Sequence, residues 1–119
     1  MPDIVGRISD RVIELLGLTE PDDRNIYLGY SNIDHMMGSH QYDYELYGDR
    51  IEEIIESPDY VGLHKNGSIE YYKEFVVKND VVKLAVRISG AGMYYARTLY
   101  TVDADSVIKY VAKGTLKKY

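Results

Sequence analysis

The sequence of 119 residues predicts an α+β domain, in which N-terminal helices precede a four-stranded antiparallel sheet and a C-terminal helix ends the chain. Apolar residues recur at helical spacing up to about residue 56, whereas from Asp59 onward their period changes to two. Asp103 then has the position of an N-cap before a last apolar stretch at helical spacing. At this length we expect one domain, residues 1–119, which can bury a core without covalent staples.

Three helices are expected in the first half, at residues 3–17, 31–39 and a stretch ending near residue 56. Asp3 and Ser31 are the N-caps of the first two helices, and Gly17 supplies the left-handed residue that ends the first. Pro58 stops the third, because the residue before a proline avoids the α region. Residues 26–28 form a short strand or an extended approach to the second helix.

Four strands are expected in the second half, at residues 60–64, 68–77, 81–89 and 93–102. The dipeptide Asn66-Gly67 indicates a tight hairpin between the first two. Positions 84, 86 and 88 of the third strand form its core face, so Lys83 and Arg87 lie on the other face. The last helix is predicted to run from its Asp103 cap through Leu116 to the closing lysines.

The formal charge of −5 hides a difference between the two halves of the chain. Residues 1–60 hold four cations and fourteen carboxylates, a net charge of −10, whereas residues 61–119 hold ten cations and five carboxylates, a net charge of +5. Such asymmetry is typical of a charged functional face, and two ordinary solvated surfaces would account for it equally well. The overall negative charge therefore does not exclude RNA as a partner of the sheet half.

The sequence excludes several classes of protein. It contains no cysteine, which excludes a disulfide framework, thiolate catalysis and cysteine-ligated zinc. No stretch approaches the ~18 apolar residues of a membrane span. The first residues also lack the basic and apolar regions of a signal peptide. We therefore expect a cytoplasmic protein without a membrane partner, or one exported by a route that this chain does not encode.

Two groups of polar residues are candidates for chemistry. His35 and His40 would diverge by about 140° on an uninterrupted helix, but a helix that ends at Gly38-Ser39 would allow His40 to turn back beside His35. Either histidine alone is also compatible with an ordinary surface residue. A zinc site that used His64 as a third ligand has no supporting spacing, so we predict no metal and no cofactor.

The second group lies in the fourth predicted strand, where Arg97 and Thr98 interrupt a tyrosine-rich run. The chain holds 13 tyrosines, one phenylalanine and no tryptophan. Tyrosine suits a half-buried strand, and its ring can also stack on an unpaired base. A solvated, cation-bearing strand face accounts for Lys83 better than it accounts for Arg97 and Thr98.

The order of several segments resembles the phage-type branch of the barnase/EndoU/colicin/RelE-like (BECR) nuclease superfamily. The matching segments are residues 35–40, 54–61, 68–73, 82–88 and 95–100, so the likeness covers about residues 26–102. The resemblance implies a metal-independent ribonuclease of barnase/RelE-like fold. Such domains are typically toxins or phage-borne effectors, countered by an immunity protein or antitoxin.

The resemblance also implies which residues are active: His35 or His40 from the helices, and Lys73, Arg97, Thr98 and Tyr100 from the sheet. RNA cleavage without metal uses the 2′-hydroxyl as nucleophile and leaves a 2′,3′-cyclic phosphate, which requires a base, an acid and a cation. We therefore expect His40 and His35 to transfer protons, in an order that the residues leave open. Arg97 and Lys73 would bind the phosphate, Thr98 and Tyr100 would orient it, and Arg87 is a further phosphate-binding candidate.

An alternative function comes from the acidic half. A non-catalytic binding or inhibitor protein could dock on a basic partner through a contiguous acidic face. The residues that would form this face are Asp43, Glu45, Asp49, Glu52, Glu53 and Glu56. An acidic face without a basic cleft behind it would favour this alternative over a nuclease.

Overall fold

The structure, a computed structural model, describes residues 2–119. The helices are α1 (Asp10–Leu16), α2 (Tyr30–Tyr47), α3 (Ile51–Glu56) and α4 (Ala104–Lys113). The strands are β1 (Asp3–Arg7), β2 (Asn25–Leu28), β3 (Tyr60–Leu63), β4 (Ile69–Phe75), β5 (Asp80–Ile88), β6 (Tyr94–Val102) and β7 (Leu116–Lys118). Two single turns of 3-10 helix cover Gly48–Arg50 and Val76–Lys78.

The strands form one mixed sheet in the order β1-β2-β6-β5-β4-β3-β7. The prediction of a four-stranded antiparallel sheet is therefore wrong, although the four predicted strands are present as β3 to β6 and pair as an antiparallel meander. β1 and β2 extend one edge, where β2 runs parallel to β6, and β7 extends the other edge. Residues 26–28, expected as a short strand or an extended approach, lie in β2, whereas β1 and β7, with five and three residues, are too short for their alternation to be distinguished in the sequence.

The predicted first helix, residues 3–17, is wrong in its first half. Residues Asp3–Arg7 form β1, and α1 begins only after Ser9, whose hydroxyl accepts a hydrogen bond from Val12 N at 3.1 Å. Apolar residues at the beginning of the chain match a helical spacing and a short strand equally well. Packing favours the strand, because Gly6 lies against α3: a Cβ there would lie 2.7 Å from Ile55 Cγ2.

The predicted last helix is too long at its C-terminal end. It stops at Gly114, which has a left-handed φ of 78°, and the chain then forms β7 alongside β3. This approach is close, because a Cβ at Gly62 on β3 would lie 2.6 Å from Leu116 Cδ2. Leu116, predicted as a helical residue, is instead buried in the strand.

The main core lies between one face of the sheet and helices α1 to α3. Val61, Tyr71, Leu84 and Leu99 form one buried row across β3, β4, β5 and β6. On the second face α4 packs over β3, β4 and β7, where Val107 forms a small cluster with buried residues of β4 and β7. Val81 at the beginning of β5 and Val102 at the end of β6 pack against the same cluster.

One residue at the end of β5 is more exposed than the sequence predicts. Ile88, predicted on the core face of its strand, is 38% exposed at the C-terminal end of β5. Within residues 2–119, no helix combines the length and apolar character that crossing a membrane requires.

Candidate active site

The register of the strands brings polar side chains together on the second face of the sheet. Opposed residues of antiparallel strands point to the same side of a sheet. One row across β4, β5 and β6 contains Tyr72, Lys83 and Tyr100, and the next contains Glu70, Ala85 and Thr98. We call Glu70, Tyr72, Lys83, Thr98, Tyr100 and the neighbouring His40 the sheet-face cluster.

An ion pair forms the centre of the sheet-face cluster. Lys83 Nζ lies 2.6 Å from Glu70 Oε2, and the two side chains are only 16% and 14% exposed. The same ammonium group lies 5.4 Å from the centroid of the Tyr100 ring and 5.9 Å from that of Tyr72. The face therefore holds a fixed cation between two aromatic rings.

Burial and neighbouring groups act in opposite directions on Lys83. Burial lowers the pKa of Lys83, but contacts with the Glu70 carboxylate and the Tyr100 hydroxyl outweigh burial and hold this pKa above its ordinary value. Burial also raises the pKa of Tyr72 to about 12. At neutral pH the cluster consequently presents an ammonium cation and a protonated tyrosine.

His40 reaches the cluster through a break in α2. Its backbone has φ −144° and ψ 59°, which is not helical, and its ring stacks on Tyr100 with 4.7 Å between centroids and 23° between planes. The predicted helix end at Gly38-Ser39 is confirmed, since the first helical segment of α2 stops at this break and a second segment continues from there to Tyr47. The predicted change of direction near His40 is present as this kink.

The second segment of α2 is fixed to the edge of β6. β2 pairs with β6 at Tyr94 and Tyr95, and within residues 2–119 no strand pairs with the later part of β6 on that side. Asp43 occupies the edge instead, where its carboxylate accepts hydrogen bonds from Thr101 N at 3.1 Å and Thr101 Oγ1 at 3.4 Å. This anchor, one turn after the kink, holds the helix that carries His40.

Arg97 occupies a β-bulge in β6. The pairing changes from Ala85 with Thr98 to Val86 with Ala96, so Arg97 is the extra residue between them. It lines a pocket of about 370 Å³ together with Arg87 and Tyr95 of the second face. Bulges redirect side chains next to functional sites, and this one is adjacent in sequence to Thr98 of the cluster and brings Arg97 into one pocket with Arg87.

Lys73 and His35 are not brought to the cluster. Lys73 is paired with Val82 and therefore points to the core side of the sheet, where its Nζ donates to Ser57 O at 2.6 Å. His35 lies in α2 one residue before the buried Met36. Within residues 2–119, its side chain makes no hydrogen bond or ring contact with His40.

Sequence reasoning did not identify Glu70, Tyr72 and Lys83 as site residues. Lys83 was predicted on this face, but its partners depend on the register between β4 and β5. These strands pair about the turn Val76–Lys78, which ends at Asn79 with a left-handed φ of 56°. The sequence instead predicts this turn at residues 78–80, which would pair different residues of β4 and β5 with each other. For β3 and β4, by contrast, the dipeptide Asn66-Gly67 correctly indicates the hairpin turn that pairs the two strands.

The arrangement combines the groups that phosphate chemistry requires: cations, hydroxyl donors and an imidazole, all on one face. Parts of the acidic run have internal partners, since Asp43 binds Thr101 and Glu53 pairs with Arg50 at 3.2 Å. Across residues 2–119, no three His, Asp or Glu side chains come together as a metal-binding group. A face of this kind is typical of an enzyme that acts on phosphate esters.

A comparison with protein families defines that class further. The family described as phage-Barnase-EndoU-ColicinE5/D-RelE like nuclease3 matches residues 3–109 of the chain. The chain therefore belongs to this nuclease family, which confirms the resemblance seen in the sequence. The match also includes β1, α1 and most of α4, which lie outside the segment that carried the resemblance. No curated protein and no solved structure matches the chain significantly.

Proposed function

We propose that the protein is an endoribonuclease, which cleaves RNA without a metal ion and leaves a 2′,3′-cyclic phosphate. The observation that supports this proposal is the stack of His40 on Tyr100 beside the Lys83 cation. Histidine is the side chain that exchanges protons near neutral pH. A cation and hydroxyl groups within the same cluster suit a phosphodiester whose charge increases in the transition state.

The reaction consists of one bond formed, one bond broken and two proton transfers. The 2′-oxygen forms a bond to phosphorus while the bond from phosphorus to the 5′-oxygen breaks. A base takes the proton of the 2′-hydroxyl, and an acid donates a proton to the leaving 5′-oxygen. We assign one of these transfers to His40, and stabilisation of the phosphate charge to Lys83 and Arg97.

The remaining predicted residues receive different roles. Thr98 and Tyr100 donate hydroxyl hydrogen bonds to the phosphate oxygens, and Arg87 extends the cationic surface beside Arg97. Lys73 and His35 receive no role in this proposal, because Lys73 lies on the other face and His35 lacks contact with the cluster.

The test is cleavage of a single-stranded RNA oligonucleotide in EDTA, with the 3′ end of the product analysed for the cyclic phosphate. The wild type should cleave RNA and leave DNA of the same sequence intact. Loss of general acid–base catalysis costs about 10²–10⁴-fold in rate, so we expect at least a ~100-fold loss in His40→Ala. His35→Ala, on the same helix, is the matched control and should retain activity.

Two results would contradict the proposal. One is a folded wild-type protein that leaves oligonucleotides, tRNA, rRNA and mRNA intact. The other is a His40→Ala variant with the full rate of the wild type, which would remove the assignment to His40 while the nuclease activity remained.

We further propose that the nuclease acts as a toxin or phage-borne effector, held inactive by an immunity protein or antitoxin. The family is described as a phage nuclease family, which supports a phage-borne effector, and the inhibitory partner follows from what the resemblance in the sequence implies. Expression of the wild type should then arrest cell growth, and His40→Ala should relieve the arrest. Binding of a basic protein without any RNA cleavage would favour the alternative of an acidic binding or inhibitor protein.

A further inference from the structure

A second pocket adjoins the sheet-face cluster. Its volume is about 450 Å³, and it lies between the β3–β4 hairpin, the C-terminal end of α4 and the second face of the sheet. Glu70, Tyr72 and Lys83 belong both to this pocket and to the cluster. A chain bound at the cluster can therefore continue into the pocket without crossing another element. The volume lies within the range of about 300–1,000 Å³ that is usual for small-ligand pockets.

The pocket is positively charged in a chain that is negative overall. Lys65, Lys83 and Lys113 line it together with a single carboxylate, Glu70. Because Glu70 already pairs with Lys83, the surplus of positive charge comes from Lys65 and Lys113. Both are exposed, and within residues 2–119 neither forms an ion pair. Their charge is consequently available to an anionic ligand.

Aromatic rings form the floor and the rim of the same pocket. Tyr72 on the floor is buried, whereas Tyr110 on the rim is 42% exposed. The rim is held in place from behind, since Thr115 N and Thr115 Oγ1 each donate to Tyr110 O at 3.0 Å. A ring in this position can stack on a base while the lysines contact the adjoining phosphates.

The hairpin contributes a further donor. His64 Nδ1 accepts a hydrogen bond from Asn66 N at 3.2 Å, so in the neutral ring the proton is on Nε2. His64 lines the pocket, where Nε2–H can donate to a base or a phosphate oxygen. The pocket thus combines cations, a stacking surface and an imidazole N–H donor.

We propose that this pocket binds an unpaired nucleotide adjacent to the scissile phosphate of single-stranded RNA. Its base stacks on Tyr110, and Lys65 and Lys113 contact the phosphates beyond it. The inference rests on the proposed ribonuclease function and adds the substrate class: a strand that is unpaired on at least one side of the cleaved bond. A base within a duplex cannot offer its face to Tyr110.

The test uses RNA with a 2′-O-methyl group at every position, which lacks the nucleophile and so reports binding alone. Fluorescence anisotropy gives Kd for single strands of two to eight nucleotides, and for an eight-base-pair duplex. The pocket variant is Lys65→Gln/Lys113→Gln. The matched control is Lys78→Gln/Lys109→Gln, which removes the same charge at two exposed lysines outside the pocket.

For the octamer we expect the pocket variant to raise Kd about tenfold and the control variant to change it less than twofold. Loss of two phosphate contacts should also reduce the slope of log K against log salt by about 1.4, at about 0.7 for each single-strand contact. Tyr110→Ala should raise Kd about tenfold, whereas Tyr110→Phe should match the wild type because it retains the stacking ring. A dinucleotide has no phosphates beyond the bound nucleotide, so its Kd should be the same for the pocket variant and the control variant.

The outcomes separate the two proposals. Equal weakening by the pocket and control variants overturns this inference, as does a duplex that binds as tightly as the single strand. RNA cleavage by the wild type with unchanged affinity in the pocket variants overturns the inference and leaves the ribonuclease standing. Selective weakening in the pocket variants without cleavage supports the pocket and contradicts the ribonuclease.

Discussion

Substitutions can separate the stability that the ion pair between Lys83 and Glu70 provides from the catalytic role that we propose for Lys83. Lys83→Met leaves Glu70, only 14% exposed, without the ammonium group that lies 2.6 Å away. Removal of one partner from a fully buried pair costs about 3–5 kcal/mol. Because the adjoining pocket admits water to Glu70, we expect a smaller loss of about 2 kcal/mol in the free energy of unfolding. For a chain of this size, the midpoint of thermal unfolding should fall by roughly 8 °C.

The double variant Lys83→Met/Glu70→Gln should recover most of this stability, because no unpaired buried charge remains. It should not recover activity. Loss of one group that stabilises transition-state charge costs about 10²–10³-fold in rate, so the double variant should be stable and at least ~100-fold slower. Lys83→Arg is the matched control, since it retains the positive charge.

Urea unfolding followed by circular dichroism measures the stability of each variant, and single-turnover cleavage of a single-stranded RNA measures its rate. A double variant that cleaves at the wild-type rate would refute the assignment of the sheet-face cluster to catalysis. A Lys83→Met variant with unchanged stability would refute the value given to the ion pair.

Three further predictions concern stability. The Tyr71 hydroxyl is buried and finds no hydrogen-bond partner within residues 2–119, so Tyr71→Phe should raise the free energy of unfolding by about 1 kcal/mol in urea titrations; a loss would show that the hydroxyl is satisfied. Gly62→Ala should cost about 1–3 kcal/mol, since its Cβ would lie 2.6 Å from Leu116 Cδ2, and hydrogen exchange should show faster exchange in β7 than elsewhere. Burial raises the pKa of Tyr72 to about 12 and also raises that of Tyr71. Both residues therefore hold their protons more tightly when folded, so stability should be constant up to about pH 10 and fall as pH rises towards 12. Absorbance at 295 nm should show late tyrosine ionisation that coincides with unfolding; ionisation complete near pH 10 would contradict this.

Local patterns predicted the elements whose signals are strong over several residues. The alternation from residue 60 to 102 corresponds to β3, β4, β5 and β6, and the Asp103 cap begins α4. Predictions failed where a short segment satisfies two periods at once, as in β1, or where a helix pattern continues past its glycine, as in β7. In these segments pairing with a distant strand outweighs local preference, since an edge strand gains its hydrogen bonds only from its partner.

The candidate site was predictable only in part, for a related reason. Alternation along one strand is enough to predict that Lys83 faces away from the core. The contact of Lys83 with Glu70 depends on the register of β4 against β5. The bulge at Arg97 also shifts the register of β5 against β6. Lys73 illustrates the same limit, because its face depends on a register that one strand alone does not reveal.

By itself, the sequence determined the helix-then-strand order of the central chain, the cationic character of its second half and the nuclease family. These depend on residue types and on spacings of two to four positions, which are local. Only the tertiary structure decided that the sheet has seven strands, that His40 stacks on Tyr100, and that Lys83 pairs with Glu70. Such contacts join residues far apart in the chain, and they follow from strand register and close packing at glycines, which no local pattern encodes.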